Sequence, residues 1–324
     1  MAHAATVAVL VYAFAGSPLQ IDIHMYFFAA LAMLTALCDW RAILTATLTV
    51  ALHHLLLNFL LPAAVFPGGA DFFRVVLHAV IVLIEAGVLM WISQYLAKAL
   101  AQLLATPQDD PFAAELVLVP ARGIERWLSQ RLSHRLGRGS GADGVCAGVE
   151  FRTPRSLVAE LTGTADDDPW SPDRLVWPLL ETIDASADQP WCTRLAAHLG
   201  YGYQGSDAEL RVGRRHAVAR RIAALFASYA AQRPQLLAQW TDGIDSDGLC
   251  AEIDTDLAWQ PELWRALIAR IAADPPHLRH ARTVDALRAS GTGLPPRLSL
   301  FGQTRLATTD IDLLDALSTN HAVH

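Results

Sequence analysis

Residues 110–137, DPFAAELVLVPARGIERWLSQRLSHRLG, decide how the larger part of the chain is read. ELVLVP at 115–120 is a short, largely apolar run closed by a proline, which predicts a buried strand. The turn Ala121–Arg122–Gly123 leads into IERWLSQRLSHRL at 124–136. There Ile124, Trp127, Leu128, Leu132 and Leu136 fall on one stripe of a helix. A strand feeding an amphipathic helix through a tight turn is the unit of an α/β fold. Downstream, helical patterns recur at 154–161, 173–183, 190–199, 212–231 and 261–273. RLSLFG at 297–302 reads as a second strand, followed by a helix at about 309–318. The expected class is α/β and helix-rich, with acidic, Gly- and Pro-rich connectors and no internal repeat.

Upstream the composition changes. Residues 1–105 carry three basic groups (Arg41, Arg74, Lys98) and four acidic ones (Asp22, Asp39, Asp71, Glu85). The other 219 residues carry 50 charges, so one uniform soluble domain is excluded. Residues 42–61 hold no formal charge and 75–93 hold one, Glu85; each is close to the length that crosses a bilayer. Residues 23–38 form a shorter apolar run, and 4–15 read as part of a fourth span. The expected organisation is an all-α multi-span transmembrane segment over 1–95, a junction at 96–105 and a soluble region from 106 to 324. Localisation follows as inner membrane anchored through 1–95, with 106–324 cytoplasmic.

Polar groups inside apolar spans need partners. His24, His53, His54 and His78 converge on one half of the segment, and Asn58 shares a face with His54. They either ligate haem or a metal ion or make interhelical hydrogen bonds. Glu85 should face the bundle and find a partner there.

Several chemistries fail on context. Gly139, Gly141 and Gly144 spell GxGxxG but follow a helix instead of a strand. Asp245, Asp247 and Gly248 fit a solvated acidic loop better than a calcium loop. HExxH and GxSxG do not occur. The chain's one lysine, Lys98, lies in LAKAL, so no Walker A loop is present to hold nucleotide phosphates. Cys38, Cys146, Cys192 and Cys250 are far apart and form no CxxC pair, which excludes a zinc ribbon. A net charge of −7 argues against bulk electrostatic coating of nucleic acid.

DPFAAELVLVPARGIERWLSQRLSHRLG (110–137) resembles the opening of the gamma chain of exodeoxyribonuclease V, the RecC family. FRTPRSL (151–157), LFASYAAQRPQLLAQWTDG (225–243), AWQPELWRAL (258–267) and LPPRLSLFGQTRLATTDIDLLDAL (294–317) resemble later family segments in the same order. The likeness runs over about 98–324. It implies an inactive superfamily 1 helicase-like domain, truncated here, in a non-catalytic DNA-guiding subunit of a RecBCD-type helicase–nuclease that repairs double-strand breaks. The implied partners are RecB-like and RecD-like subunits and the single-stranded and duplex-end DNA they open. HMYFFA, CDWR and HHLLLNFLLP, within residues 1–95, resemble the membrane-sensing region of bacterial chemotaxis receptors, so the chain reads as a fusion. A membrane sensor fragment and a non-functional hybrid stand as alternatives.

Arg122 and Arg126, one turn apart after the strand at 115–120, sit where α/β folds place ligands. Their guanidinium groups suit phosphate or an unpaired base. By the resemblance, Arg233 in QRP matches an arginine facing the DNA channel. The alternative for all three is solvation or pairing with nearby acids. No catalytic residue is expected on this chain.

Overall fold

A computed structural model describes residues 2–34, 39–65, 70–106, 108–110, 112–137, 144–206, 209, 211, 213–249 and 251–324. Gly139, Gly141, Cys38 and Cys250 lie outside them. The chain divides into two compact units. The first comprises Met1–Thr153, Pro295–Thr304 and His324; the second comprises Pro154–Leu294 and Arg305–Val323.

The first unit begins with α1 (Ala2–Ala13), α2 (Gln20–His24), α3 (Tyr26–Leu34), α4 (Trp40–Leu60) and α5 (Phe72–Leu104). The apolar run expected at 23–38 is divided at Met25 into α2 and α3. Two helices, α4 and α5, are long and apolar enough to cross a membrane among the described residues. Asp39 and Asp71 cap them, accepting from the Arg41 and Arg74 amides. These bonds occupy orphan N–H groups in the first turn.

Helix α5 passes through the expected junction at 96–105 without a break, and its far end joins the α/β part of the unit. Leu100 and Ala101 pack with Val117, Val119, Ile124, Leu128, Leu132 and Phe301. Strand β1 (Glu115–Leu118) pairs in parallel with β2 (Val149–Arg152) on one side and β3 (Arg297–Leu300) on the other. The first compact unit runs on to Thr153, and β3 returns from far along the chain to complete a sheet that α6 (Arg122–Ser133) and α5 cover. The expected strand and helix are present, and the buried face of α6 is Ile124, Leu128 and Leu132, three of the five stripe residues.

Among the described residues the second unit is mainly helical, with an antiparallel bridge between Ser246 and Glu252 and a short strand at its end. It holds α7 (Pro154–Leu161), α8 (Pro172–Ala185), α9 (Thr193–His198), α10 (Arg215–Gln232), α11 (Pro234–Thr241), α12 (Trp259–Arg270), α13 (Pro276–Ala289), α14 (Thr308–Ser318) and β4 (Ala322–Val323). Its core is built on Phe226, Trp240 and Trp264, each about 1% exposed. Trp264 meets Phe226 edge-on at 5.3 Å and Trp170 at 5.1 Å. The indole N–H groups of the three buried tryptophans are satisfied: Trp170 donates to Ala273 O, Trp240 to Ser246 O and Trp264 to Thr241 Oγ1. Burying large rings costs little when their one polar handle is matched in this way.

Candidate nucleic-acid interface

Strand β1 ends at Leu118, and the chain turns through Pro120 and Ala121 into α6. Arg122 is the first helical residue, and Ala121 offers no side-chain cap. The opening turn thus leaves amide donors exposed beside a guanidinium, an arrangement that favours an anion. Arg122 and Arg126 are exposed, while Ile124 and Leu128 on the opposite face are buried. Amphipathicity of α6 is what holds the two arginines outward.

Arg233 lies in the second unit. It is the exposed C-cap of α10, with its amide bonded to Tyr229 O, and it leads into Pro234 at the start of α11. Burial pushes the Tyr229 phenol above its ordinary value, while the nearby Arg233 cation and a hydrogen bond to Gln260 oppose that shift. Arg122, Arg126 and Arg233 have no ion pair among the described residues. Of the two bland expectations, pairing with nearby acids is therefore not realised there.

Sequence reading missed a second basic surface. In YGYQG, Tyr201 and Tyr203 sit under the guanidinium groups of Arg215 and Arg211, at 4.0 Å and 4.2 Å. Arg214, Arg220 and Arg221 are exposed on the same segment, and His216 lies 6.1 Å from the exposed ring of Trp177. Arginines interleaved with aromatic rings, of which Tyr203 and Trp177 are exposed, are a combination that single-stranded nucleic acid can stack on. The signal was legible as RVGRRHAVARR following YGYQG, but a helical period alone hid it.

The acidic loop behaves as expected of a solvated turn. Asp245 accepts from Arg265 Nη1 at 2.8 Å, and Asp247 accepts from the amides of Leu249 and Ala251. Those carboxylates are occupied by the chain itself. A cavity of about 250 Å³ in the second unit is walled by Trp170, Phe226 and Trp264. Its rim cation Arg279 is paired with Asp168 at 2.8 Å.

The four histidines do meet. His24 Nε2 lies 2.6 Å from His54 Nε2, and His54 Nδ1 is 2.8 Å from Val50 O. The His78 ring stands 4.9 Å from that of His24, and the His53 ring 5.3 Å from that of His54. No group of three or more His, Cys, Asp or Glu that could hold a metal ion occurs among the described residues. What the cluster supplies is an interhelical hydrogen bond between α2 and α4. Asn58 is buried beside it, as expected, and accepts from the Asp71 amide at 2.8 Å. The expected partner for Glu85 is not found among the described residues; its Oε2 is buried without one.

Comparison with known proteins decides the affiliation of the α/β and helical parts. The family described as RecC, N-terminal domain, matches residues 93–324. The chain belongs to the RecC family. It is 63% identical over 231 residues to the RecBCD enzyme subunit RecC of Mycobacterium tuberculosis H37Rv, covering 71% of this chain and 21% of that protein. To the same subunit of Mycolicibacterium smegmatis it is 63% identical over 229 residues, with 71% and 20% covered. To that of Escherichia coli K12 it is 26% identical over 229 residues, with 67% and 19% covered. The chain thus spans about a fifth of the length of the curated RecC relatives it matches. The RecC match begins at residue 93, inside α5.

Proposed function

We propose that this chain provides the N-terminal portion of a RecC-type subunit, a non-catalytic, DNA-guiding part of a RecBCD-type exodeoxyribonuclease V that repairs double-strand breaks by homologous recombination. The observation that carries this reading is the 63% identity to two RecBCD subunits over 71% of the chain. The parallel β1–α6 unit with no Walker A loop supports an inactive helicase-like fold, since nothing cradles or neutralises a nucleotide triphosphate. Arg122, Arg126 and Arg233 then act on DNA as cations for phosphate and flat faces for bases. A RecB-like helicase–nuclease and a RecD-like helicase supply the motor and the cutting, and the DNA is the duplex end and the single strand drawn from it.

The test is co-purification. The full chain, tagged, is expressed with RecB-like and RecD-like subunits and drawn through detergent-containing affinity and size-exclusion columns. Co-elution with the RecB-like subunit, with no ATP turnover by the chain alone, is the expected result. Failure to co-elute, or ATP hydrolysis that persists after repurification, overturns the reading.

A further inference from the structure

Within α1 to α5 polar side chains share the interior with apolar ones, while many large apolar side chains face outward. Gln20, His24, Thr47, His54, Asn58 and Ser93 are buried, each at most 4% exposed. Leu52, Phe59 and Leu60 on α4 and Phe73, Leu83 and Ile84 on α5 are 55–78% exposed. Several of the inward polar groups are hydrogen-bonded within the segment, while Asn58 Nδ2 and Glu85 Oε2 are buried without a partner among the described residues. Gln20 Nε2 donates to Ala63 O at 2.9 Å, Thr47 Oγ1 to Ile43 O at 2.8 Å, and Ser93 Oγ to Leu89 O at 2.9 Å. Where α4 meets α5, small or branched residues take part: Ala46 packs in one cluster with Val82, and Val75 in another with Leu57. In water this pattern forgoes the hydrophobic gain of each large apolar side chain left outside. In hydrocarbon it is the favourable one, because polar groups must be satisfied internally and small residues let helices approach.

The charges mark the edges of an apolar belt. Asn58 near the end of α4 accepts from the Asp71 amide at the start of α5, so the two helices run antiparallel. Asp39 and Arg41 therefore lie at one end of the pair, and Asp71 and Arg74 at the other. The 19 residues from Ala42 to Leu60 and from Val75 to Ser93 rise about 28 Å, close to the hydrocarbon thickness of a bilayer. At the Asp39 end, exposed Trp91 and Tyr95 stack at 5.5 Å, and Arg41 lies 5.8 Å from the Trp40 ring. Aromatic rings and cations together suit the headgroup layer.

We propose that α1 to α5, as far as Ser93, are seated in a lipid bilayer, with α4 and α5 crossing it, and that α5 emerges as a rigid stalk carrying the RecC-like sheet. The stalk is Gln94–Leu104, whose Leu100 and Ala101 are already locked into the core under β1 and α6. The sheet is thereby held at the membrane surface on the side of Arg41 and Lys98. This surface is distinct from the proposed DNA contacts and does not rest on them.

The experiment is flotation. Full chain in phosphatidylethanolamine–phosphatidylglycerol vesicles is washed with alkaline carbonate and spun through a sucrose step gradient. The chain is expected to float with lipid and to be released only by detergent. L83K/I84K, on the exposed face of α5, should reduce the floating fraction at least tenfold, whereas Q102K, on the stalk, should leave it unchanged. Recovery in the carbonate supernatant, sedimentation as lipid-free aggregate, or elution without detergent as a soluble oligomer that covers the same face would each overturn the proposal. So would flotation of L83K/I84K equal to that of the unaltered chain.

Discussion

Arg297 on β3 and Glu115 on β1 stand opposite each other in the parallel register and form a buried ion pair. Arg297 Nε donates to Glu115 Oε2 at 2.8 Å, Nη2 donates to Glu115 Oε1, and Nη2 also donates to Thr106 O at 3.0 Å. The side chains are 9% and 12% exposed. The bidentate contact raises the arginine pKa above its ordinary value, chiefly through the hydrogen bond to Glu115. One guanidinium thus fixes the register of β3 against β1 and ties both to the chain leaving α5.

Removing one partner leaves the other charge buried and unpaired, which costs about 3–5 kcal/mol. Arg297→Met should accordingly loosen β1 and β3 before the rest of the first unit. Hydrogen exchange of the 115–119 amides reads this directly. Glu115→Leu with Arg297→Leu should recover much of the protection. Equal exchange in R297M and the unaltered chain would mean that the pair fixes nothing.

Trp264 fills the second unit's core and donates to Thr241 Oγ1 at 3.1 Å. Trp264→Ala should cost about 3–5 kcal/mol through the cavity it leaves. Trp264→Phe keeps most of the ring contact and should lose nearer 1 kcal/mol, the share of one hydrogen bond. Thermal unfolding of the two variants separates packing from polarity: equal losses would remove the packing argument.

His277 is 5% exposed, and burial, opposed by Asp242, lowers its pKa below the ordinary 6.5. The folded state therefore binds fewer protons at this site than the unfolded chain does. The contribution to stability is complete above about pH 6.5, the unfolded value, and is lost as pH falls below it toward the folded value. His277→Gln should flatten the dependence of the melting temperature on pH below about 6.5. An unaltered slope would place the titration elsewhere.

For the proposed DNA contacts, Arg122, Arg126 and Arg233 are changed to Ala singly in the assembled complex, and single-strand crosslinking is followed against salt. Each phosphate that is no longer neutralised should lower the slope of log affinity against log salt by about 0.7. Slopes and yields that do not move would leave the three arginines as solvated charge. Tyr203→Ala tests the second basic surface in the same assay, with a loss of base stacking of about 1–3 kcal/mol expected.

Local patterns made much of this fold legible. The strand at 115–120 and the helix after it are present, and the helix expected at 154–161 has those bounds. Four elements after residue 105 were not anticipated, the two-residue β4 among them. In β2 (VEFR) every residue is half-buried at the edge of the sheet, so no apolar run announces it. Helix α11 has eight residues and opens on Pro234 directly after α10, where a proline reads as a break. Helix α13 buries only His277, Val284 and Leu287 out of 14 residues, too sparse a stripe to read.

The sequence by itself determined the apolar character of 42–61 and 75–93, the strand–helix unit at 115–136 and the absence of a phosphate-cradling loop. Each depends on neighbours in the chain, where composition and periodicity act directly. Tertiary structure decided the rest. Glu115 meets Arg297 across 182 positions, and His24 meets His54 across 30. It also decided that polar side chains turn inward along α4 while leucine and phenylalanine turn outward. Hydropathy averages register how apolar a helix is but not which face is covered. That is settled by which helices can close against one another, as the His24–His54 and Asn58–Asp71 contacts show.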